Sequence, residues 1–382
     1  MKNESPKSRV QSSAVECSRR RSSAVGCSRR QSNAVEASSV GLRNGNFGGL
    51  PTSPDDAHVV LIPVPWDATV SSGDGTRDGP RAILDASPQL EFLAPHTGLP
   101  WTSLAMLPIP ASGIFAKSAL VRRKAQNVID WLESDAPRSR AAAMERLRRD
   151  VNVACERVAQ HVEAECTRWL AKGKAVGVVG GDHSTALGLY RALGKMSRKP
   201  FGILHIDAHC DLREAYEGFT HSHASIMRNA LEQVPRITTL TQVAVRDFCA
   251  EERAYVAASR GRIACFDDRT LAHRRIAGEP WAKTVRGIVS TLPRNVVVSL
   301  DIDGLEPWQC PNTGTPVPGG LRYEECFYLI EQIRASGRRI LAFDVTEVAP
   351  GRIGKAGQET GAPGIDAAVG ARAVYRLATI IG

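Results

Sequence analysis

Asp207, His209 and Asp211 stand at alternate positions at the end of the apolar run FGILHIDAHCD (201–211). Side chains of an extended chain alternate between its two sides, so these three share a direction. Asp301 and Asp303 share one in the same way at the end of NVVVSLDID (295–303), and His183 follows the apolar AVGVVG (175–180) in the stretch Gly-Gly-Asp-His-Ser. A lone Asp-x-Asp at a strand end is more often a cap, a turn or a single-ion site. Several such groups crowded at the edge of an apolar sheet are another matter, because burying a carboxylate costs several kcal/mol and like charges raise one another's pKa. Cations resolve that conflict. Four carboxylates and two imidazoles (His183, Asp207, His209, Asp211, Asp301 and Asp303) suit two divalent ions sharing bridging carboxylates, and mixed oxygen and nitrogen ligation without thiolate favours Mn²⁺ over copper or structural zinc. Cys210, lodged between two of these ligands, should point to the opposite side of the chain and pack.

These residues need strands to carry them. The sequence predicts strands at 58–65, 175–180, 201–207, 239–245, 262–268, 295–303 and 339–348, with helices near 138–172, 185–196, 248–259, 280–292, 322–336 and 366–380. Continuous Val/Ile/Leu strands alternating with helices imply a parallel sheet covered on both faces, hence a three-layer α/β/α domain over 56–382 with a mainly parallel central sheet. In such folds ligands bind beyond the carboxyl ends of the strands, where all six candidate ligands fall.

GGDHS (180–184), HIDAHCD (205–211) and SLDIDG (299–304) resemble the three metal-binding signatures of the ureohydrolase superfamily, which includes arginases, agmatinases and formimidoylglutamases. The resemblance extends over roughly 57–382. It implies the arginase-like fold, two Mn²⁺ per subunit and hydrolysis of a guanidino or amidino C–N bond. It also implies that His183 and Asp211 serve one ion, His209 and Asp303 the other, and that Asp207 and Asp301 bridge. Two such ions would lower the pKa of a shared water beside a carbon that is a poor electrophile.

Two further tasks remain, orienting the guanidinium and protonating the departing nitrogen. Glu347 in DVTEVAP (344–350) can accept two parallel N–H bonds and matches the family's acidic residue; Asp344 is the weaker candidate, read as a structural carboxylate. His223 in THSHASIMRN (220–229) has the titration range of a proton carrier and aligns with the family's catalytic histidine better than His221. His205 is expected to support Asp207. The segment PNTGTPVPGG (311–320) looks like the family's TGTP element, which gives Thr315 a place in a substrate-binding wall, and SGDGTRDGP (72–80) resembles its glycine-rich rim.

The substrate is less defined. LREAYEGFTHSHA (212–224) lacks the Ser/Asn-rich element with which arginases hold an amino acid, and SHA looks agmatinase-like. Glu214 or Glu217 would pair with a cationic tail, whereas Arg213 would suit a carboxylate. Glu306 stands where many family members carry Asp. The expected function is therefore agmatinase-like, agmatine to putrescine and urea, with formimidoylglutamase, arginase and guanidine or guanidino-acid hydrolase as alternatives. A binuclear metallophosphatase would need later histidines, and none follows His273. An inactive metal-binding regulator is opposed by the presence of His223 and Glu347.

Of the net charge of +9, residues 1–54 supply nine Lys or Arg against three Glu, a charge of +6, which leaves a nearly balanced +3 elsewhere. Residues 11–40 hold the decaying ten-residue repeat QSSAVECSRR, RSSAVGCSRR, QSNAVEASSV. Such Ser/Arg-rich sequence buries too little apolar surface to fold, so 1–55 is read as a disordered tail; nucleic acid is not its expected partner. The nine cysteines are scattered without a CxxC pair, which suits a reducing compartment. No apolar run is long enough to span a bilayer, and no secretory signal core is present, so a cytoplasmic enzyme is expected, with no membrane partner. A homo-oligomer, trimer or hexamer, is implied by the resemblance alone.

Overall fold

Eight strands form one sheet in the order β2-β1-β3-β8-β7-β4-β5-β6, all paired in parallel. They are β1 (Val59–Val64), β2 (Leu104–Met106), β3 (Ala175–Gly180), β4 (Phe201–Ile206), β5 (Ile237–Val243), β6 (Ile263–Phe266), β7 (Asn295–Asp301) and β8 (Arg339–Thr346). The coordinates are a computed structural model, which describes residues 42–91, 103–134, 138–351 and 364–381. The three-layer expectation holds: along β1, Val59 and Leu61 enter one buried apolar cluster while Val60 and Ile62 enter another on the opposite face. Helices α1 (Gly79–Ala86), α8 (Trp281–Ser290), α9 (Tyr323–Ala335) and α10 (Ile365–Ile381) contribute to the first cluster. Helices α2 (Ser118–Leu132), α3 (Ala141–Ala171), α4 (Leu187–Met196) and α5 (Ile226–Gln233) contribute to the second, with α6 (Ala250–Ala258) packed beside it.

Strand order matters most for function. The central run β3-β8-β7-β4 gathers segments that begin at residues 175, 339, 295 and 201, so distant parts of the chain end side by side. Sequence order also reverses there, β3 leading left to β1 and β4 leading right to β5, which is where open parallel sheets leave a crevice.

Several elements lie outside the expected set. Strand β2 has only three residues, too short to show a period, and α1, α5 and α7 (Asp268–Ile276) span only eight or nine residues. Helix α2 did carry a signal, since Val121, Ala125, Val128 and Ile129 are spaced to bury one face. The described chain also begins within the segment assigned to the tail. Phe47 and Leu50 are buried with Leu104 and Met106, and Asn46 accepts a 2.8 Å hydrogen bond from the Met106 amide through Oδ1. Composition alone assigned 42–55 to the tail, but two apolar side chains and two asparagines suffice to fasten it. Residues 1–41, with the repeats, lie outside the described residues. Among the described residues no helix is long and apolar enough to cross a membrane.

Candidate metal centre

His183 enters the site from the turn that follows β3. Gly181 permits that turn, since a Cβ there would lie 2.0 Å from the Trp66 carbonyl oxygen. The imidazole is buried with Nδ1 3.0 Å from Asp211 Oδ2, 3.1 Å from Asp207 Oδ2 and 3.3 Å from Asp301 Oδ2. Its Nε2 lies 2.9 Å from Ser299 Oγ, and Ser299 donates onward to Asp344 Oδ1 at 2.8 Å. Tyr190 donates to Asp344 Oδ2, also at 2.8 Å. Because the Ser299 hydrogen is committed to Asp344, this network assigns the His183 proton to Nε2 and turns the Nδ1 lone pair toward the carboxylates. A lone pair facing three carboxylates is a set of acceptors with no donor among them. A cation fits it.

His209 closes the other half. Its Nδ1 lies 3.1 Å from Asp303 Oδ2 and 3.4 Å from Asp207 Oδ1. Asp207 thus faces His183 with one oxygen and His209 with the other, the disposition a bridging carboxylate needs. Asp301 Oδ1 accepts the Asp303 amide at 2.9 Å while Oδ2 turns to His183, and Asp303 Oδ1 accepts the Ala208 amide at 3.0 Å. Two metal-competent groups result, His183/His205/Asp207/Asp211 and Asp207/His209/Asp303, with Asp207 common to both. His205 belongs to the first by proximity, yet both its nitrogens are engaged: Nδ1 faces Gln242 Nε2 at 3.0 Å and Nε2 faces Asp207 Oδ2 at 2.7 Å. Since Gln242 presents an N–H, His205 donates to Asp207 and has no lone pair left for an ion.

The electrostatics show the same demand for positive charge. Burial lifts the Asp211 carboxyl to about 6, with the charge of Asp207 adding to it, and lifts Asp301 well above the ordinary range, with Asp303 and Asp207 adding. Burial opposes a charged His183, but Asp207, Asp211, Asp301 and Asp344 outweigh it and raise the imidazole well above its usual value. His209 is raised to about 12 against its burial, chiefly by Asp303 and Asp207. Protons and carboxylates therefore compete within one buried volume, a conflict that divalent cations remove. Backbone strain marks the same place. Asp211 and Glu347 are left-handed, with φ of 56° and 62°, a conformation unfavourable for residues with a Cβ.

A cleft of about 350 Å³ opens above this floor, lined among others by His209, Asp211, His223 and Thr315. Thr315 Oγ1 lies 3.4 Å from Asp303 Oδ2. His223 faces the cleft, its pKa pushed down to about 3 by burial first and then by His209 and His183, so its imidazole is neutral at pH 7. His221 is turned away, 3.2 Å from Glu156 on α3. Glu347 is not among the lining residues: its Oε1 accepts the His183 amide at 2.9 Å, and Oε2 lies behind Gly314. Burial, then the charge of Asp182, raises its pKa well above the usual carboxylate range.

The tail-binding candidates separate as well. Arg213 lines the cleft but stacks 4.7 Å over Tyr216 and lies 3.9 Å from Glu252. Glu214 is exposed and pairs with Arg228 at 3.5 Å, and Glu217 does not line the cleft. Asp247 and Phe248 do line it, and the sequence reading missed both. Ser299, Tyr190 and Gln242 were missed too, although Ser299 stands two residues before Asp301 on the same side of β7, a spacing that could have found it.

A parallel α/β/α sheet with acidic and imidazole side chains converging at its central carboxyl ends defines a protein built to hold metal ions. Residues 57–378 match the model of the arginase family. The chain is 32% identical to an N(1)-aminopropylagmatine ureohydrolase of Synechocystis sp., covering 79% of this chain and 84% of that protein. It is 31% identical to an agmatinase of Halalkalibacterium halodurans, covering 78% and 85%. The fold resembles that of proclavaminate amidino hydrolase from Streptomyces clavuligerus, with a TM-score of 0.66 at 22% identity over 90% of this chain and 99% of that one. The chain belongs to the arginase family: it is an agmatinase-like ureohydrolase, a hydrolase of C–N bonds in linear amidines.

Proposed function

We propose that the chain hydrolyses the guanidino group of a substrate with a cationic tail, agmatine or its N(1)-aminopropyl derivative, releasing urea and an amine. The observation that carries this reading is the charge of the cleft wall. Arg213, the group suited to a carboxylate, is stacked on Tyr216 and close to Glu252, while the Asp247 carboxylate makes no hydrogen bond or ion pair among the described residues. An ammonium is the natural complement of such a carboxylate. The longer substrate is included because a relative bearing that name is as similar as the agmatinase.

His183, Asp207, Asp211 and Asp301 would hold one ion, and His209, Asp207, Asp301 and Asp303 the other, with Mn²⁺ favoured by the mixed oxygen and nitrogen donors. Bound there, the pair would neutralise the carboxylates and lower the pKa of a water. The remaining tasks fall to the protein. Glu347 Oε2 is the proposed acceptor of N–H bonds from the guanidinium, which requires Gly314 to move aside because that oxygen lies behind it here; the cation's charge would then draw the buried carboxyl into its ionised form. Thr315 and Gly314 form the wall against which the planar group lies. His223, neutral at pH 7, takes up a proton and passes it to the departing nitrogen. The arrangement in a cytoplasmic homotrimer or homohexamer is proposed from the family resemblance, and light scattering of the purified protein tests the assembly.

The deciding experiment is urea release from agmatine, N(1)-aminopropylagmatine, arginine, guanidinobutyrate, guanidinopropionate and guanidine, with formation of glutamate and formamide from formimidoylglutamate measured alongside. Cationic-tailed substrates are expected to show the highest kcat/KM. Preference for guanidinobutyrate or guanidinopropionate would refute the wall assignment, and silence across the whole set would refute the activity.

A further inference from the structure

Seven cysteines lie among the described residues, and none is in a disulfide. Most are packing residues or bonded locally: Cys155, Cys166 and Cys326 are buried in helices, and Cys310 donates to the Ile302 carbonyl at 3.0 Å. Cys210 and Cys265 differ. Cys265 sits exposed on β6, Cys210 is 3% exposed, and each thiol is the largest influence on the other's hold on its proton, which sets the two side by side. Cys210 is also the residue between His209 and Asp211, two of the candidate ligands. Gln242 ties the pair to the floor. It is the register partner of Cys265 on β5, and its Nε2 donates to the Cys210 carbonyl at 2.7 Å and faces His205 Nδ1 at 3.0 Å.

We propose that Cys265 and Cys210 are a site of oxidation by hydroperoxides, at which an exposed thiol reports to a buried one and disulfide formation disrupts the metal floor. The Cys265 sulfur attacks one oxygen of hydrogen peroxide, the O–O bond breaks, and hydroxide leaves with the thiol proton as water, giving a sulfenic acid. The Cys210 sulfur then displaces the sulfenic hydroxyl, which departs with the Cys210 proton as a second water. Two thiols and one peroxide thus yield one disulfide and two waters, with two electrons passing from sulfur to oxygen. Forming the bond draws Cys210 toward β6. Both neighbours of Cys210 in the chain are candidate ligands, and Asp211 keeps its left-handed φ of 56° through the amides of Met227 and Arg228 donating to its carbonyl at 3.0 and 3.2 Å, an arrangement that a shift of Cys210 breaks. The displacement is therefore passed to His209 and Asp211.

The test uses the metal-loaded, full-length enzyme titrated with hydrogen peroxide, then digested without reduction and mapped by mass spectrometry. A linked 210–265 peptide, lighter by two hydrogens, should accumulate in step with an about tenfold or greater fall in bound metal, the scale for lost support at a metal site. Dithiothreitol should reverse both. Cys265→Ser, or Cys265→Ala should the first disturb β6, should retain its metal at the same peroxide dose. The proposal is overturned if no such peptide forms while exposed thiols are oxidised, if it forms with metal content unchanged, or if the Cys265 variants lose metal as the parent does. The cross-link and the metal content are read without substrate, so failure of the substrate assignment leaves this test intact.

Discussion

The floor of the cleft and its walls are built on different physics. The floor is made from strand ends in the middle of the sheet. Its side chains are buried apart from a half-buried His209, its carboxylates crowd against two imidazoles, and two residues accept an unfavourable backbone conformation to take their places. The walls are loops, 71–72, 213–224, 247–248 and 314–317, and Asp247 and Phe248 are exposed, with no partner among the described residues fixing the carboxylate. Parallel sheets tolerate buried charge only where something compensates it, so a polar floor in an otherwise Val- and Leu-rich sheet means the fold is shaped around cations. Walls built of loops can change substrate without changing that floor.

If the comparison is right, damage to the floor removes the chemistry whatever the substrate. Asp207→Ala deletes the one carboxylate that faces both His183 and His209. Bound-metal analysis should show loss of metal, and kcat/KM should fall by at least about a thousandfold on every substrate, corresponding to several kcal/mol of lost charge stabilisation. Retention of about two ions per chain with near-normal activity would break the assignment. Conversely, chelation of the parent should lower the melting temperature by about 5 °C or more, because ligands that bind only the folded state add about 3 kcal/mol at a hundredfold excess over Kd.

Removing the supports beneath the floor should cost less. Ser299→Ala frees the Nε2 proton of His183 and leaves Asp344 with Tyr190 alone. An about 10- to 100-fold loss of metal affinity is expected, with kcat largely restored at saturating Mn²⁺. Loss of kcat that excess metal does not restore would place Ser299 in the reaction rather than under it. His223→Ala should behave in the opposite way, keeping its metal while kcat falls about 10²- to 10⁴-fold, the usual contribution of a positioned proton carrier. His221→Ala, by contrast, should stay within about twofold of the parent, since that ring faces Glu156 rather than the cleft.

The same division decides what could be read from sequence. Each candidate ligand sits at a strand end, so period-two alternation and the carboxyl-end rule were enough to gather His183, Asp207, His209, Asp211, Asp301 and Asp303. The supports were legible only in part: spacing pointed to His205 beneath Asp207 and could have pointed to Ser299 beneath Asp301, but not to their joining with Gln242 and Asp344. Gln242, His205, Ser299 and Asp344 form one row across β5, β4, β7 and β8, two residues deeper than the strand ends, and that row exists only through the pairing registers. Residues 205, 242, 299 and 344 carry no local mark of adjacency, because strand order is a property of the packed sheet. Tyr190 reaches the row from α4, further still from any sequence pattern. In the walls, Phe248 read as the start of a helix over 248–259, yet the helix begins at Ala250 and leaves Phe248 with Asp247 in the preceding loop. On the fold, long strands and helices were legible, whereas three-residue β2 was too short to show a period.

The gentlest test lies on the wall itself. Asp247→Asn keeps the size and removes the charge, so KM for agmatine should rise by about fivefold while kcat is retained, as expected for one exposed ion pair worth at most about 1 kcal/mol. The effect should shrink as ionic strength rises, because an exposed pair is screened. It should also vanish for guanidine, which has no tail. Position makes this residue a demanding probe: its amide donates to the Ala208 carbonyl at 3.0 Å, and its backbone bridges to His209. If the Asn variant lost metal together with kcat, the Asp247 side chain would be holding the floor through that bridge, and wall and floor would have to be treated as one structure. If only KM moves, the charge of a loop selects the substrate while the sheet beneath it performs the hydrolysis.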